Sequence, residues 1–275
     1  MSRKRTNNTL TFIILAVILV GGIIYVGARM RAGNPQPVEG DPGLSRRLMT
    51  VVSNNGQPSS LIEYEGFTVS FNPKLHIPNW VSWELTGKET LGQEPRYNRF
   101  MQDEATAGCP EPGDYSYSGY DRGHMAPAGD MKWSKSAMRE TFYLTNICPQ
   151  AKSLNTGSWK KLEEKCRIWA QTDSAIYIVC GPVLADEPRE YIGKTRVAVP
   201  QRFFKVIASP YANPPRGIGF IMPNENVEGG MQKCAVTIDE VEALTGLDFF
   251  SQLPRDVETA IESQKNFNLW SNLGR

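Results

Sequence analysis

Histidine is almost missing from this chain of 275 residues: there are two, His76 and His124. Any proton transfer near neutral pH that relies on an imidazole therefore falls to one of two positions. Cysteine is also sparse. Cys109, Cys148, Cys166, Cys180 and Cys234 are too few and too scattered for a disulfide-built fold, and none has the paired spacing of a zinc site. Cys148, Cys166 and Cys180 fall within apolar stretches, where a buried thiol is the ordinary state. No internal repeat, low-complexity tract or glycine-rich phosphate loop occurs, which excludes repeat arrays and P-loop nucleotide hydrolases. Net charge is small as well. Thirty Lys and Arg against 29 Asp and Glu leave +1 at pH 7, so bulk charge gives no sign of a polyanion binder.

The charge is unevenly spread. Asp121 to Ala170 carries nine basic and five acidic side chains. A local positive surface suits a polyphosphate ligand, although a solvated helix face gives the same pattern. The segment opens on Tyr120-Asp121-Arg122-Gly123-His124-Met125-Ala126-Pro127, which places a carboxylate, a guanidinium and an imidazole within four residues. Arginine offers a planar fork for phosphate oxygens, histidine takes a proton from water, and glycine lets backbone or ligand come close. The combination points to phosphate chemistry at His124. His76, two residues before Pro78 in a connection between strands, is read as a surface or packing residue.

Phe142-Tyr143-Leu144-Thr145-Asn146-Ile147-Cys148 is apolar enough for a mostly buried strand, with Pro149 ending it. Beyond it, Trp159, Leu162, Cys166 and Trp169 recur at helical spacing. Projected at roughly 100° per residue, Asn155 lies along the same inward stripe and Glu163 at its edge. Two readings stand side by side. In one, Asn155 is an N-cap contributing about 1 kcal/mol and Glu163 a rim carboxylate. In the other, a neutral amide oxygen and a carboxylate two turns on serve a hard cation that keeps most of its waters, as magnesium does.

Along the rest of the chain, Ser2-Arg3-Lys4-Arg5 precedes an uncharged run from Thr6 to Ala28. The run is long enough to span a bilayer and longer than the apolar core of a cleaved signal, which favours an uncleaved anchor, and the basic flank argues against a buried core helix. Residues 1–28 are assigned as a transmembrane or signal-anchor helix and 29–60, breaker-rich from Arg29 to Leu44, as a linker, leaving 61–275 as the folded domain. The positive flank places that domain outside the cytoplasm, secreted if the segment is cleaved. Phe67-Val69-Phe71 and Val81-Trp83-Leu85 alternate as an antiparallel pair, and Ala175 to Cys180, Phe203 to Ile207 and Ile218 to Met222 supply further strands. Thr237-Ile238-Asp239-Glu240 has the form of a capping box opening a helix that Gly246 closes, and a last helix surrounds Val257 and Ile261. The fold class is α+β, a mainly antiparallel central sheet with flanking helices.

Taken together, Asp121-Arg122-Gly123-His124, Phe142 to Gln150, Leu154-Asn155 and Trp159 to Glu163 resemble the DNA/RNA non-specific endonuclease family. Asn79 to Leu85, Cys180-Gly181-Pro182-Val183, Val199-Pro200, Phe203 to Val206 and Thr237 to Glu242 follow in the family's order, so the likeness runs from about Leu61 to Trp270. The resemblance implies a ββα-metal motif, in which two strands and the Asn155 helix clasp the ion. It also implies a metal-dependent endonuclease that cuts DNA and RNA without sequence specificity and leaves 5′-phosphate ends. By the same resemblance His124 is the general base and Asn155 the ligand of Mg2+, for which Mn2+ substitutes. Glu163 orients the ion's waters, Arg122 contacts phosphate, Asn146 supports the site and Asp121 positions the motif. A substrate-facing arginine is implied as well, matched best by Arg96 and next by Arg99. Partners are DNA, RNA, the membrane and, where the family pairs, a second copy of the chain. Two other readings are a membrane-tethered nucleic-acid receptor without catalysis and a phosphodiesterase acting on a smaller substrate.

Overall fold

The computed structural model describes residues 48–184 and 187–271. The strands in chain order are β1 (Val52–Ser53), β2 (Ser60–Glu63), β3 (Thr68–Asn72), β4 (Ile77–Thr86), β5 (Asp121–His124), β6 (Ile147–Gln150) and β7 (Ala175–Pro182). They continue with β8 (Tyr191–Ile192), β9 (Val197–Ala198), β10 (Arg202–Ser209), β11 (Arg216–Pro223), β12 (Ala235–Val236) and β13 (Leu247–Asp248). The helices are α1 (Lys135–Glu140), α2 (Lys152–Leu154), α3 (Lys160–Asp173), α4 (Ile238–Thr245), α5 (Arg255–Glu262) and α6 (Phe267–Ser271).

Seven strands form one antiparallel sheet in the order β12-β11-β10-β7-β4-β3-β2. The expected pairing of the Phe67 and Val81 segments is present, with Val69 opposite Val81. The middle strands are apolar along almost their whole length because both faces of the sheet are covered. Side chains on alternate positions enter two separate cores. Val81, Trp83, Ile178, Cys180, Phe203 and Ile207 meet Trp159, Leu162, Cys166 and Trp169 from α3 and the residue before it. Trp80, Tyr177, Val179, Phe204 and Val206 meet Ile238, Val241 and Ile261 from α4 and α5. Thr237 caps α4 reciprocally with Glu240, and Gly246 closes it in a left-handed conformation at φ 67°, as the sequence predicts.

Three expectations change. First, the folded unit starts before Leu61: β1 pairs with β13, and Leu48 and Val51 are buried, so part of the span assigned as linker belongs to the domain. Second, the strand expected over Phe142 to Cys148 lies later. Leu144–Asn146 is a 3-10 turn, and Pro149 sits within β6 rather than after it. A proline is tolerated there because β6 pairs with β5 alone. Third, the helix after Pro149 is not continuous: α2 and α3 are joined by a wider turn over Asn155–Trp159 that breaks at Gly157. The stripe from Trp159 to Trp169 is buried as predicted, but the 100° projection does not carry back to Asn155. The assigned membrane segment, residues 1–28, lies outside the described residues, and no described helix is long and apolar enough to cross a membrane.

Candidate active site

Strands β5 and β6 make a two-stranded ribbon apart from the main sheet, pairing Asp121 with Gln150 and His124 with Ile147. Packing of this ribbon against the turn that precedes α3 brings the motif residues together. A carboxylate can only accept hydrogen bonds, so the 2.9 Å contact between Asp121 Oδ2 and Asn155 Nδ2 fixes which way the Asn155 amide faces. Asn155 Oδ1 is thereby turned away from Asp121, with no hydrogen-bond donor among the described residues. Asn155 itself has helical backbone angles, φ −54° and ψ −47°, and donates to Asp121, so the N-cap reading is set aside. Four residues on, Trp159 Nε1 donates to the His124 carbonyl oxygen at 3.3 Å and ties the end of β5 to the same turn.

His124 is 8 % exposed, and its ring packs on Phe100 at 5.4 Å and edge-on against Phe142 at 5.0 Å. Its Nε2 is enclosed without a hydrogen-bond partner. Burial, and after it the Arg96 guanidinium, pulls the imidazole pKa down to about 3, so the ring is neutral at neutral pH. A phosphate paired with Arg96 would remove the second of these causes and make the ring more basic when substrate is present. Arg96 lies 4.9 Å over the Phe142 ring and is felt by both His124 and Glu163, which places it at the site. Arg99 instead lines a groove of about 560 Å³ with Arg139, Tyr143 and Phe100.

Two expected site residues have structural work. Arg122 Nη2 donates to the Pro112 carbonyl at 2.8 Å, and its guanidinium sits against Phe100 and Tyr115. Its Nε is buried without a partner, so a donor remains unused beside the ring that also touches His124. Asn146 is fully buried: it accepts from Ala126 N and donates to the carbonyls of Ala126 and Thr141, leaving little of its amide for substrate. It is a support that holds the chain just after His124. His76 lies in a turn with Nδ1 2.7 Å from the Gly108 carbonyl, a packing role.

Glu163 is half-buried on the first turn of α3. Burial pushes its pKa up to about 8, opposed by Lys205 and, less strongly, by Arg167 and Arg96, while Asp130 adds to the rise. The sequence pattern does not single out the groups around it. Asp130 is wholly buried and accepts from Arg167 Nη1 at 2.8 Å and Trp83 Nε1 at 3.2 Å. Lys205 is 1 % exposed, with Nζ 5.0 Å from the Trp83 ring centre and 4.4 Å from that of Trp159. The available hint was a single lysine inside the apolar run Phe203-Phe204-Lys205-Val206-Ile207. Gln150 is another fully buried polar residue, and neither end of its amide has a partner. It lies across Gly123, where an added Cβ would stand 2.6 Å from Gln150 Cβ; the motif glycine makes room for it.

The donor set fits a hard divalent cation: an aimed amide oxygen, a nearby carboxylate and unsatisfied buried polar atoms that ordered water would complete. The clustered thiols are free, and Cys148, Cys166 and Cys180 are buried with raised pKa values, unlike metal-binding thiolates.

A profile of the DNA/RNA non-specific endonuclease family matches residues 45–256. The mitochondrial nuclease EXOG of Mus musculus is 33% identical over 210 residues, 70% of this chain and 57% of its own length. The chain thus spans a little over half of that relative. A nuclease of Nostoc sp. is 31% identical over 273 residues, 91% of this chain and 97% of its own. A chain in the crystal structure of the EndoG/EndoGI complex, described as showing the mechanism of EndoG inhibition, superposes with a TM-score of 0.71 at 30% identity. That alignment covers 82% of this chain and 99% of the other.

The raised pKa of Glu163 has a measurable sign. Its folded value of about 8 exceeds the ordinary 4.5, so between these values the folded state holds a proton that the unfolded state has lost. Its contribution to stability is full below about pH 4.5 and is lost as pH rises toward about 8. His124 acts in the opposite sense, but equally in wild type and in Glu163→Gln. In chelator, the melting temperature of wild type minus that of Glu163→Gln should fall from about pH 5 to about pH 8. A difference that stays constant with pH contradicts the assignment.

Proposed function

The chain belongs to the DNA/RNA non-specific endonuclease family, and on that premise we propose that it hydrolyses phosphodiester bonds of DNA and RNA with a divalent cation. The observation that carries the proposal is one juxtaposition. A neutral, enclosed imidazole with an unpartnered nitrogen stands on the ribbon whose Asp121 takes the Asn155 amide nitrogen and leaves its oxygen facing away from that carboxylate.

His124 takes the proton of a water molecule as that water attacks phosphorus in line. Its neutral state at working pH leaves a lone pair for the purpose. Arg96, exposed above Phe142, binds a non-bridging phosphate oxygen, and Arg122, against the Phe100 ring, offers its unused Nε. Trp159 holds the main chain at His124, and Asn146 holds it just beyond. Asn155 Oδ1 would hold Mg2+, or Mn2+ in its place, with Glu163 orienting the ion's waters. When bound, the ion would supply positive charge that stabilises the leaving group, and departure of the 3′ oxygen would leave products bearing 5′-phosphates.

The segment 1–28 would anchor the domain outside the cytoplasm, or direct its secretion if cleaved. A second copy of the chain and, by likeness to EndoG in its complex with EndoGI, a protein inhibitor belong among the proposed partners.

His124→Ala and Asn155→Ala should fail differently. Loss of the general base lowers kcat by about 10²- to 10⁴-fold with cation dependence unchanged. Loss of the ligand raises the cation concentration needed for half-maximal rate. A His124→Ala protein cleaving plasmid at the wild-type rate contradicts the mechanism.

Every polar group assigned to the site answers to phosphate, metal or water, and none to base edges. Long duplex DNA and RNA should both become broad smears with 5′-phosphate ends, and binding should weaken steeply with salt as Arg and Lys contacts release counterions. Discrete bands would contradict the absence of sequence preference.

A further inference from the structure

Lys205 is the least expected charge in the molecule. It sits in the middle of β10, directly opposite Cys180 of β7, on the sheet face that α3 covers. Burying an ammonium costs several kcal/mol unless its surroundings compensate. Here the ammonium lies over the faces of two indoles, Trp83 and Trp159, and is near enough to the Cys180 thiol to be felt by it. No carboxylate of the described residues lies within ion-pair distance of it, although Asp130 and Glu163 are near enough to be felt. Asp130 is already engaged by Arg167 and Trp83. The charge therefore lies over two rings and makes no ion pair with a described residue.

One of those rings leads to the site. Trp159 presents its face to Lys205 at 4.4 Å and donates its Nε1 hydrogen to the His124 carbonyl at 3.3 Å. The indole is 1 % exposed and also meets Phe203 at 5.7 Å, so its place is set by what lies beneath it. Cation and indole attract through the ring quadrupole, and the attraction strengthens where both are removed from water. It fixes the ring's height and tilt above the sheet, and with them the position of the N–H that holds the end of β5.

We propose that Lys205 is a positioning residue for the hydrolysis. Its ammonium seats Trp159, and Trp159 in turn holds the His124 main chain in register with Asn155. This inference rests on the nuclease reading of the site. A purely stabilising role makes a different demand. Replacing a buried charge by an apolar side chain of similar volume is often neutral or stabilising, so Lys205→Met would keep both folding and rate.

The test compares wild type, Lys205→Met, Trp159→Phe and the double variant on plasmid, with melting temperatures measured alongside. Trp159→Phe keeps an aromatic ring over the lysine and removes the N–H. Each single variant should lose about tenfold or more in kcat with KM within about twofold, and the double variant should be no slower than the slower single, since both act through one contact. Because the chain has only two histidines, magnetic resonance gives a second readout: the His124 ring signals should move in both variants while those of His76 stay. Lys205→Met with wild-type kcat, multiplicative losses in the double variant, or unmoved His124 signals would overturn the proposal. If Lys205→Met does not fold, Trp159→Phe decides alone, wild-type kcat and signals there being equally fatal. Wild-type protein that leaves DNA and RNA intact refutes the nuclease reading itself, and this inference with it.

Discussion

The arrangement of the site depends on how a two-stranded ribbon is held against a broken helix. Strands β5 and β6 pair with each other and with no strand of the seven-stranded sheet, so their register alone does not place them. Asp121 to Asn155 at 2.9 Å and Trp159 to the His124 carbonyl at 3.3 Å bridge ribbon and helix at two points. The first also determines orientation. An amide has a donor end and an acceptor end of nearly the same shape, and a carboxylate neighbour distinguishes them because it cannot donate.

The polar groups beneath this bridge carry an energetic consequence. Lys205, Asp130, Arg167 and half-buried Glu163 put two cations and two carboxylates in and around a core that otherwise consists of aromatic and branched side chains. Such a cluster is weak as a source of stability, since desolvation offsets much of the attraction. It is effective at fixing geometry, because each member constrains the next and removal of one leaves an uncompensated charge. The site thus draws precision from a part of the core that an apolar packing would make at least as stable.

The sequence made much of this legible where a local rule applies. Apolar runs gave the strands β3, β4, β7, β10 and β11, spacing gave the buried stripe of α3, and Thr237 with Glu240 gave a cap. His124 and Asn155 stood out through composition and through likeness to a family. What did not follow was set by tertiary packing. The break at Gly157 puts Asn155 out of phase with the stripe, so the projection that pointed to it does not hold. Phe142 and Asn146 lie in a loop whose burial mimics a strand, because the loop is roofed by Phe100 and Arg96. Lys205 and Asp130 reveal themselves only when strand β10 and a turn 75 residues earlier in sequence are laid together, since a charge in an apolar run has no local cause. Arg122 looked like a phosphate fork in the motif, and the Pro112 carbonyl, ten residues upstream, claims part of that fork.

The central claim is that the Asp121 carboxylate aims Asn155 at a divalent cation. It is tested most directly by Mg2+ titration calorimetry on wild type and Asp121→Ala, with folding checked by melting temperature. Groups that orient a metal ligand typically contribute about 10- to 100-fold to metal affinity. The account predicts a loss of that size in a protein that still folds. Cation affinity equal to that of wild type would contradict it.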